Sequence, residues 1–269
     1  MILFVKNIVK AMLPYKIYSP LRDTYLYITS FLYAGNKYEC PLCKGHFSKL
    51  LPTGLDAPVF EEKQIIGGGY RLNSMCPRCY SSERERLVYL YIIENSQAFF
   101  SRNINLLHIA PERNLSKKLK SNSNIDYTSA DIFSPLVDIK MDITDIKQPD
   151  ETYDVIICNH VLEHIVDDAK AMGELFRVLK KGGIAILQVP ISYTIDATFE
   201  DSTVTSPENR ELVFGQDDHV RIYGKDYFSR LESVGFSVEA VSYAEAGKQP
   251  DILKYGLDEE EKIFVCSKS

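Results

Sequence analysis

Residues 153–190 read YDVIICNHVLEHIVDDAKAMGELFRVLKKGGIAILQVP, and the fold turns on how this stretch is read. YDVIICN is apolar at consecutive positions, the pattern of a strand buried on both faces. After a polar turn, Ala169, Met172, Leu175, Phe176 and Leu179 recur at helical spacing. Lys180-Lys181-Gly182-Gly183 then supplies last-turn cations and a glycine stop. The chain passes directly into a second apolar run, GIAILQVP. A strand, a helix and a strand in that order form a βαβ unit with parallel strands.

The same alternation continues outward. Upstream lie INLLHIA (104–110), a helical pattern around 114–120, IDYTSAD (125–131) and VDIKMDI (137–143). Downstream, KDYFSRLESVGF (225–236) reads as a helix, followed by strands SVEAVSY (237–243) and KIFVCS (262–267). The expected fold class is therefore α/β, with a largely parallel sheet covered on both sides. There is no internal repeat and no low-complexity tract.

The 269 residues allow one large core plus a small satellite. Hydrophobic residues make up 45% and charged residues 25%, the balance of an ordinary globular protein. A net charge of -6 disfavours polyanionic partners, so nucleic acid is not expected. The apolar start is broken by Lys6, Lys10, Pro14 and Lys16, and does not read as a secretory signal. Reduced thiols in a cytoplasmic protein are the expectation. Residues 1–34 read as one or two short helices interrupted by Pro14 and Pro20. Basic, aromatic and apolar together, they suit a peripheral membrane or partner-protein contact, or packing on the chain's own body.

Two CxxC pairs stand apart from the rest of the chain, Cys40-Pro-Leu-Cys43 and Cys76-Pro-Arg-Cys79, with 32 residues between them. Each turn presents two thiolates on one side of a tight loop, and four thiolates complete a tetrahedron around zinc. Two disulfides are disfavoured by compartment, and a redox CxxC by the presence of two matched copies. Four cysteines leave no open position, so the expected role is structural. Cys158 and Cys266 lie in apolar strand runs and read as buried hydrophobes. The organisation expected is a helical segment over 1–34, a zinc ribbon over 35–81, a linking helix over 82–100 and an α/β domain over 101–269.

The pattern YDVIICNHVLEH…RVLKKGG, together with HVRIYGKDYFSRLESVGFSV near the end, resembles the class I S-adenosylmethionine-dependent methyltransferases, and the resemblance covers the chain from about residue 101 onward. It implies a Rossmann-like seven-stranded sheet with one antiparallel strand, and S-adenosyl-L-methionine bound at the carboxyl ends of the strands. Carried over position by position, Asp131 would accept the ribose hydroxyls, and Asp142 the adenine amino group with Ile143 packing on the ring. Asn159 and His160 would face the methionine end. Both aspartates could instead be turn or cap residues. The first turn departs from the family: His108 stands where an acid is usual, and Ala110, Pro111 and Glu112 span positions normally rich in glycine. Either this is a variant turn in which Glu112 binds the methionine ammonium, or the site is degenerate. The intact pattern elsewhere favours the variant. Some bacterial members resemble this chain in sharing an HIAPE-type turn and a leading tetracysteine module.

Residues 190–222 run long without an evident helix, as lids and binding loops do. Asp196, Glu200, Asp201, Glu208, Glu211, Asp217 and Asp218 outnumber Arg210 and Arg221 there, so this insert would repel phosphate backbones. The expected acceptor is an oxygen or nitrogen of a small molecule or glycan precursor. The alternatives are an RNA base methyltransferase, and a non-catalytic binding or scaffold protein. Methyl transfer rests mainly on alignment, with a base needed only for a protonated acceptor. His219, oriented by an acid such as Asp218, is the first candidate base. His160 follows, with Asp218 and Glu163 behind. Alternatively His219 and Arg221 brace the insert.

Overall fold

The computed structural model describes residues 15–100 and 102–269. The expectations for residues 1–14, and for the joint at Ser101, lie outside the described residues.

The sheet strands are β1 (Ile104–Ile109), β2 (Ile125–Asp131), β3 (Ile139–Lys140), β4 (Tyr153–Asn159), β5 (Leu179–Gln188), β6 (Ser237–Ser242) and β7 (Lys262–Ser267). Their order is β6-β7-β5-β4-β1-β2-β3. Strand β7 runs antiparallel to both neighbours, and the other pairings are parallel. This is the Rossmann-like seven-stranded sheet of mixed orientation that the sequence implied. Chain reversal between β1 and β4 places their carboxyl ends side by side, at the switch point where open α/β sheets bind ligands.

The longer helices among the described residues cover the sheet or border its carboxyl edge and the cysteine module: α1 (Tyr15–Ser30), α2 (Glu83–Glu94), α3 (Arg113–Lys120), α4 (Asp168–Val178), α5 (Pro207–Phe214), α6 (Tyr227–Ser233) and α7 (Gln249–Tyr255). Because strand side chains alternate, Leu107, Ile109, Ile156, Cys158, Ala185 and Leu187 face α4 and α6. Leu106, Val155, Ile157, Ile186 and Val265 face α2, α3 and α7. The helix read from sequence as a link, α2, is thus one of the layers covering the sheet. Ser82 caps it, accepting a hydrogen bond from Glu85 N at 3.2 Å.

Three local readings are corrected. Pro20 does not interrupt α1; the carbonyl it leaves without a helical donor belongs to Lys16, in the exposed first turn. The insert after β5 does contain a helix, α5, with Ser206 as its N-cap, Pro207 in its first turn and Gly215 in a left-handed C-cap. The sequence S-P-E…F-G carried those signals, but with a weak apolar stripe. Leu179 belongs to β5 rather than to α4, pairing with Tyr153 before the strand bulges at the glycines.

Arg86 on α2 is fully buried and donates only to carbonyls: Nε to Tyr255 at 2.8 Å, Nη1 to Ser81 at 2.9 Å and Nη2 to Gly256 at 2.8 Å. It joins the end of the cysteine module to the end of α7. Replacing it by Met leaves three acceptors, one buried and two partly buried, without their donor, so Arg86→Met is expected to cost on the order of 3 kcal/mol. Urea unfolding would show this as a lower midpoint at unchanged slope.

Candidate active-site edge and cysteine cluster

The turn after β1 solves the problem posed by its missing glycines. Ala110 takes the left-handed conformation, with φ +45°, so Pro111 is not asked to. Helix α3 opens at Glu112, whose side chain makes no capping bond. The cap comes instead from α2: Glu85 Oε1 accepts Asn114 N at 3.0 Å and Leu115 N at 2.8 Å. Burial, and then the nearby Glu112, push Glu85 up to about 7. Freed of capping, Glu112 turns to the sheet edge. Its Oε2 lies 2.7 Å from His108 Nε2, and its Oε1 accepts Asn159 Nδ2 at 2.9 Å. His108 Nδ1 meets the Tyr127 hydroxyl at 2.9 Å, which leaves the Nε2 proton for Glu112. Burial disfavours the Glu112 charge, yet the His108 and Asn159 bonds outweigh it and hold the carboxyl below its usual range. His108, Ala110, Glu112 and Asn159 are thus brought together at the ends of β1 and β4, around one fixed carboxylate.

Asp131 ends β2 and spends Oδ1 on Phe133 N (2.6 Å) and Ser134 N (2.7 Å). Its Oδ2 has no protein partner among the described residues. Asp142 makes the same kind of turn with Thr144, and these bonds lower its pKa. Ile143 is 4% exposed and packs in the core below α4, so its side chain serves packing.

His160 also takes a left-handed backbone, with φ +54°. Arg84 Nη1 lies 2.9 Å from its Nδ1 and 3.0 Å from its Nε2, and donates to Gly67 O at 2.6 Å. Burial, then the Arg84 charge, bring His160 down to about 4, so it is neutral at pH 7. The Gly67–Gly69 loop is held over this edge by residues Ile65–Ile66 pairing with Ile191–Ser192. A Cβ at Gly67 would lie 3.0 Å from Glu261 Oε2. Glu261 is buried, and burial pushes it up to about 8. The phenol of Tyr193 is raised by burial and by Glu261. Arg84 Nε, Asn159 Oδ1, Glu163 Oε2, Tyr193 Oη and Glu261 Oε2 are the buried side-chain polar atoms without a partner among the described residues. All five come from residues of this edge and the turn beside it. Buried polar atoms rarely stay unsatisfied, and a run of them marks where a polar ligand would sit.

The expected pairing of Asp218 with His219 is corrected. Asp218 is exposed, and its carboxylate lies 3.3 Å from His164 Nδ1. His219 is buried beside Glu163 and His164, because the insert folds inward at α5. Its pKa is lowered, first by burial. Arg221, also buried, donates to the Ile165 and Val166 carbonyls and pairs with Glu200 and Asp168. It ties the turn after β4 to Glu200 of the insert. Arg84, Tyr193 and Glu261 were missed. Arg84 lies in a charged run that reads as a solvated helix start, and Glu261 in an acidic run that reads as surface.

The four paired cysteines converge. Their sulfurs all lie within 4.8 Å of one another, with Cys40–Cys79 and Cys43–Cys76 at 3.6 Å. The two knuckles match: Cys40 N bonds Gly45 O and Lys44 N bonds Cys40 O, while Cys76 N bonds Ser81 O and Tyr80 N bonds Cys76 O. Lys44 and Tyr80 are both left-handed. Four sulfurs this close cannot ionise together without a cation, and each other's proximity pushes the thiols of Cys43, Cys76 and Cys79 up. The donor set fits a tetrahedral thiophilic ion. Cys158 and Cys266 are buried in the sheet.

Glu261 generates a pH prediction. Its folded pKa is raised above the unfolded value, so the folded state holds one proton more between about pH 4.5 and 8. Stability from this group is complete below that window and is lost as pH rises through it, with a slope approaching about 1.4 kcal/mol per unit. Glu261→Gln is expected to flatten the profile and raise stability at pH 8, read by thermal unfolding across pH 5–9. An unchanged profile would contradict the burial assigned to this carboxyl.

Residues 97–187 match the family model described as a methyltransferase domain. The chain is 30% identical over 106 residues to a protein of Mycolicibacterium smegmatis described as a probable S-adenosylmethionine-dependent methyltransferase. The match takes in 39% of this chain and 37% of the relative's length. Among solved structures, a SAM-dependent methyltransferase from Archaeoglobus fulgidus aligns with TM-score 0.45 at 14% identity, over 70% of this chain and 95% of that one. A Burkholderia thailandensis 1,6-didemethyltoxoflavin-N1-methyltransferase aligns with TM-score 0.43 at 11% identity, over 64% and 75%. The seven-stranded sheet and the match over residues 97–187 agree: this part of the chain is similar to S-adenosylmethionine-dependent methyltransferase domains.

Proposed function

We propose that this chain transfers the methyl group of S-adenosylmethionine to an oxygen or nitrogen of a small molecule or glycan precursor, and that its cysteine module holds one structural zinc ion. The observation that carries the reading is the Glu112 carboxylate, kept ionised at the β1–β4 edge by His108 and Asn159. Each carboxylate oxygen retains a lone pair for the ammonium of the methionine end. Asp131 offers Oδ2 to the ribose diol, and Asp142 stands one strand further out on the adenine side. His160 is a neutral polar contact next to the methyl group.

Several features favour a small acceptor. The Gly67–Gly69 loop, Arg84, Tyr193 and Glu261 close over the edge. The acidic insert opposes a phosphate backbone, which disfavours the RNA reading. For an acceptor that must lose a proton, Glu261 suits better than His219, since its proton affinity lies near working pH and its Oε2 is uncommitted. A cytoplasmic location is part of the proposal; no helix among the described residues is long and apolar enough to cross a membrane. Helix α1 and the turn after it show Ile17, Leu21, Tyr25, Ile28 and Leu32 to solvent, a face suited to a peripheral membrane or partner contact.

Incubation with labelled S-adenosylmethionine and a metabolite extract should yield a product heavier by one CH2, detected by mass spectrometry. Asp131→Ala should weaken cofactor binding about tenfold or more in calorimetry, the loss of a charge-assisted pair of bonds. No heat from the wild type would sink the enzymatic reading. Cys76→Ser should release the zinc and lower the melting temperature together. A metal-free wild type that is fully folded would refute the zinc assignment.

A further inference from the structure

Beyond the methyl-transfer edge, Glu163, His164 and His219 meet where the turn after β4 passes against the insert that follows β5. One ligand atom from each lies within 4.8 Å of the others, and the two imidazoles stand edge to face with centroids 4.7 Å apart. Glu163 is 2% exposed. Its Oε1 lies 3.4 Å from His160 Nδ1, while its Oε2 is buried with no partner among the described residues. A buried carboxylate oxygen without a donor or cation is costly. Of the arginines on this edge, Arg84 directs Nη1 to His160 and Gly67 O, and Arg221 pairs with Glu200, Asp168 and the turn carbonyls.

We propose that Glu163, His164 and His219 bind one divalent transition-metal ion of the Zn2+, Mn2+ or Fe2+ class, separate from the cysteine cluster. Two imidazoles and one carboxylate are the donor set those ions prefer. The ion supplies the positive charge that Glu163 Oε2 lacks. The frame is already in place: Val220 N donates to Glu163 O at 3.0 Å, tying the two ligand-bearing segments together. Arg221 fixes the turn from behind through the Ile165 carbonyl at 2.6 Å. Asp218, 3.3 Å from His164 Nδ1, orients that ring as an outer carboxylate does for a metal-bound histidine. His164 is 30% exposed and gives the ion its way in. The site does not depend on the methyltransferase reading.

The test uses the full chain stripped with chelator and titrated with Co2+ alone. The expected result is two equivalents per chain. One gives the intense thiolate charge-transfer absorption of the cysteine cluster, and the other only weak visible bands. Glu163→Gln and His219→Ala should lose the second equivalent and keep the first. His164→Ala, at the most exposed ligand, repeats the test where the buried variants fail to fold. A single equivalent with thiolate bands only would overturn the proposal, as would two equivalents that persist in both histidine variants. Both outcomes are read from stoichiometry and spectrum, so they stand apart from any failure of methyl transfer.

Discussion

The structure depends on keeping one carboxylate charged in a place where burial opposes it. Glu112 closes the first turn of the sheet, and its charge survives because His108 and Asn159 each give it a hydrogen bond from a strand end. That arrangement is possible only because Glu85, from a different helix, caps α3 and releases Glu112 from the duty its position would otherwise impose. In a glycine-rich turn the backbone approaches the ligand directly. Here the Glu112 side chain stands at that turn, and the left-handed angle falls on Ala110. One substitution in this set therefore propagates: without Glu85 the helix end would compete for Glu112, and without His108 burial would favour its neutral form.

The cysteine module and the sheet are joined at the same edge. Asn114 on α3 donates to the Cys79 carbonyl at 3.1 Å, and Arg86 ties Ser81 to the end of α7. The Gly67–Gly69 loop reaches across to the carboxyl ends of the strands and brings Arg84 against His160. An ion at the cysteines would thus stabilise more than its own knuckles. It would hold the segment that covers the edge, which gives a structural metal a consequence for ligand access without any part in chemistry.

Much of this was legible in the sequence, for physical reasons. The sheet could be read because buried strands are apolar at every position while the helices between them are periodic, and YDVIICN and IAILQ differ from AKAMGELF in just that way. The cysteine cluster could be read because thiolate spacing is local. Asp131 could be located at the sheet's carboxyl edge because it ends a strand, and Glu112 because it follows one by three residues. What could not be read were contacts between elements distant in the chain. Arg84 meets His160 across 76 positions and Glu85 caps a helix 29 positions away, and no local pattern announces either. The acid beside His219 was misassigned for the same reason: Asp218 is adjacent in sequence, yet the inward fold of the insert leaves Glu163 as the carboxylate next to that ring. Helix α5 was overlooked although its cap, proline and terminal glycine were present, because its apolar stripe is thin.

The central claim is that Glu112 receives the amino-acid end of the cofactor. Calorimetry of S-adenosylhomocysteine and of methylthioadenosine, which lacks that end, against the wild type and Glu112→Gln tests it directly. The account predicts that the substitution weakens S-adenosylhomocysteine by about tenfold or more while leaving methylthioadenosine unchanged. Equal affinity of both proteins for S-adenosylhomocysteine would contradict it.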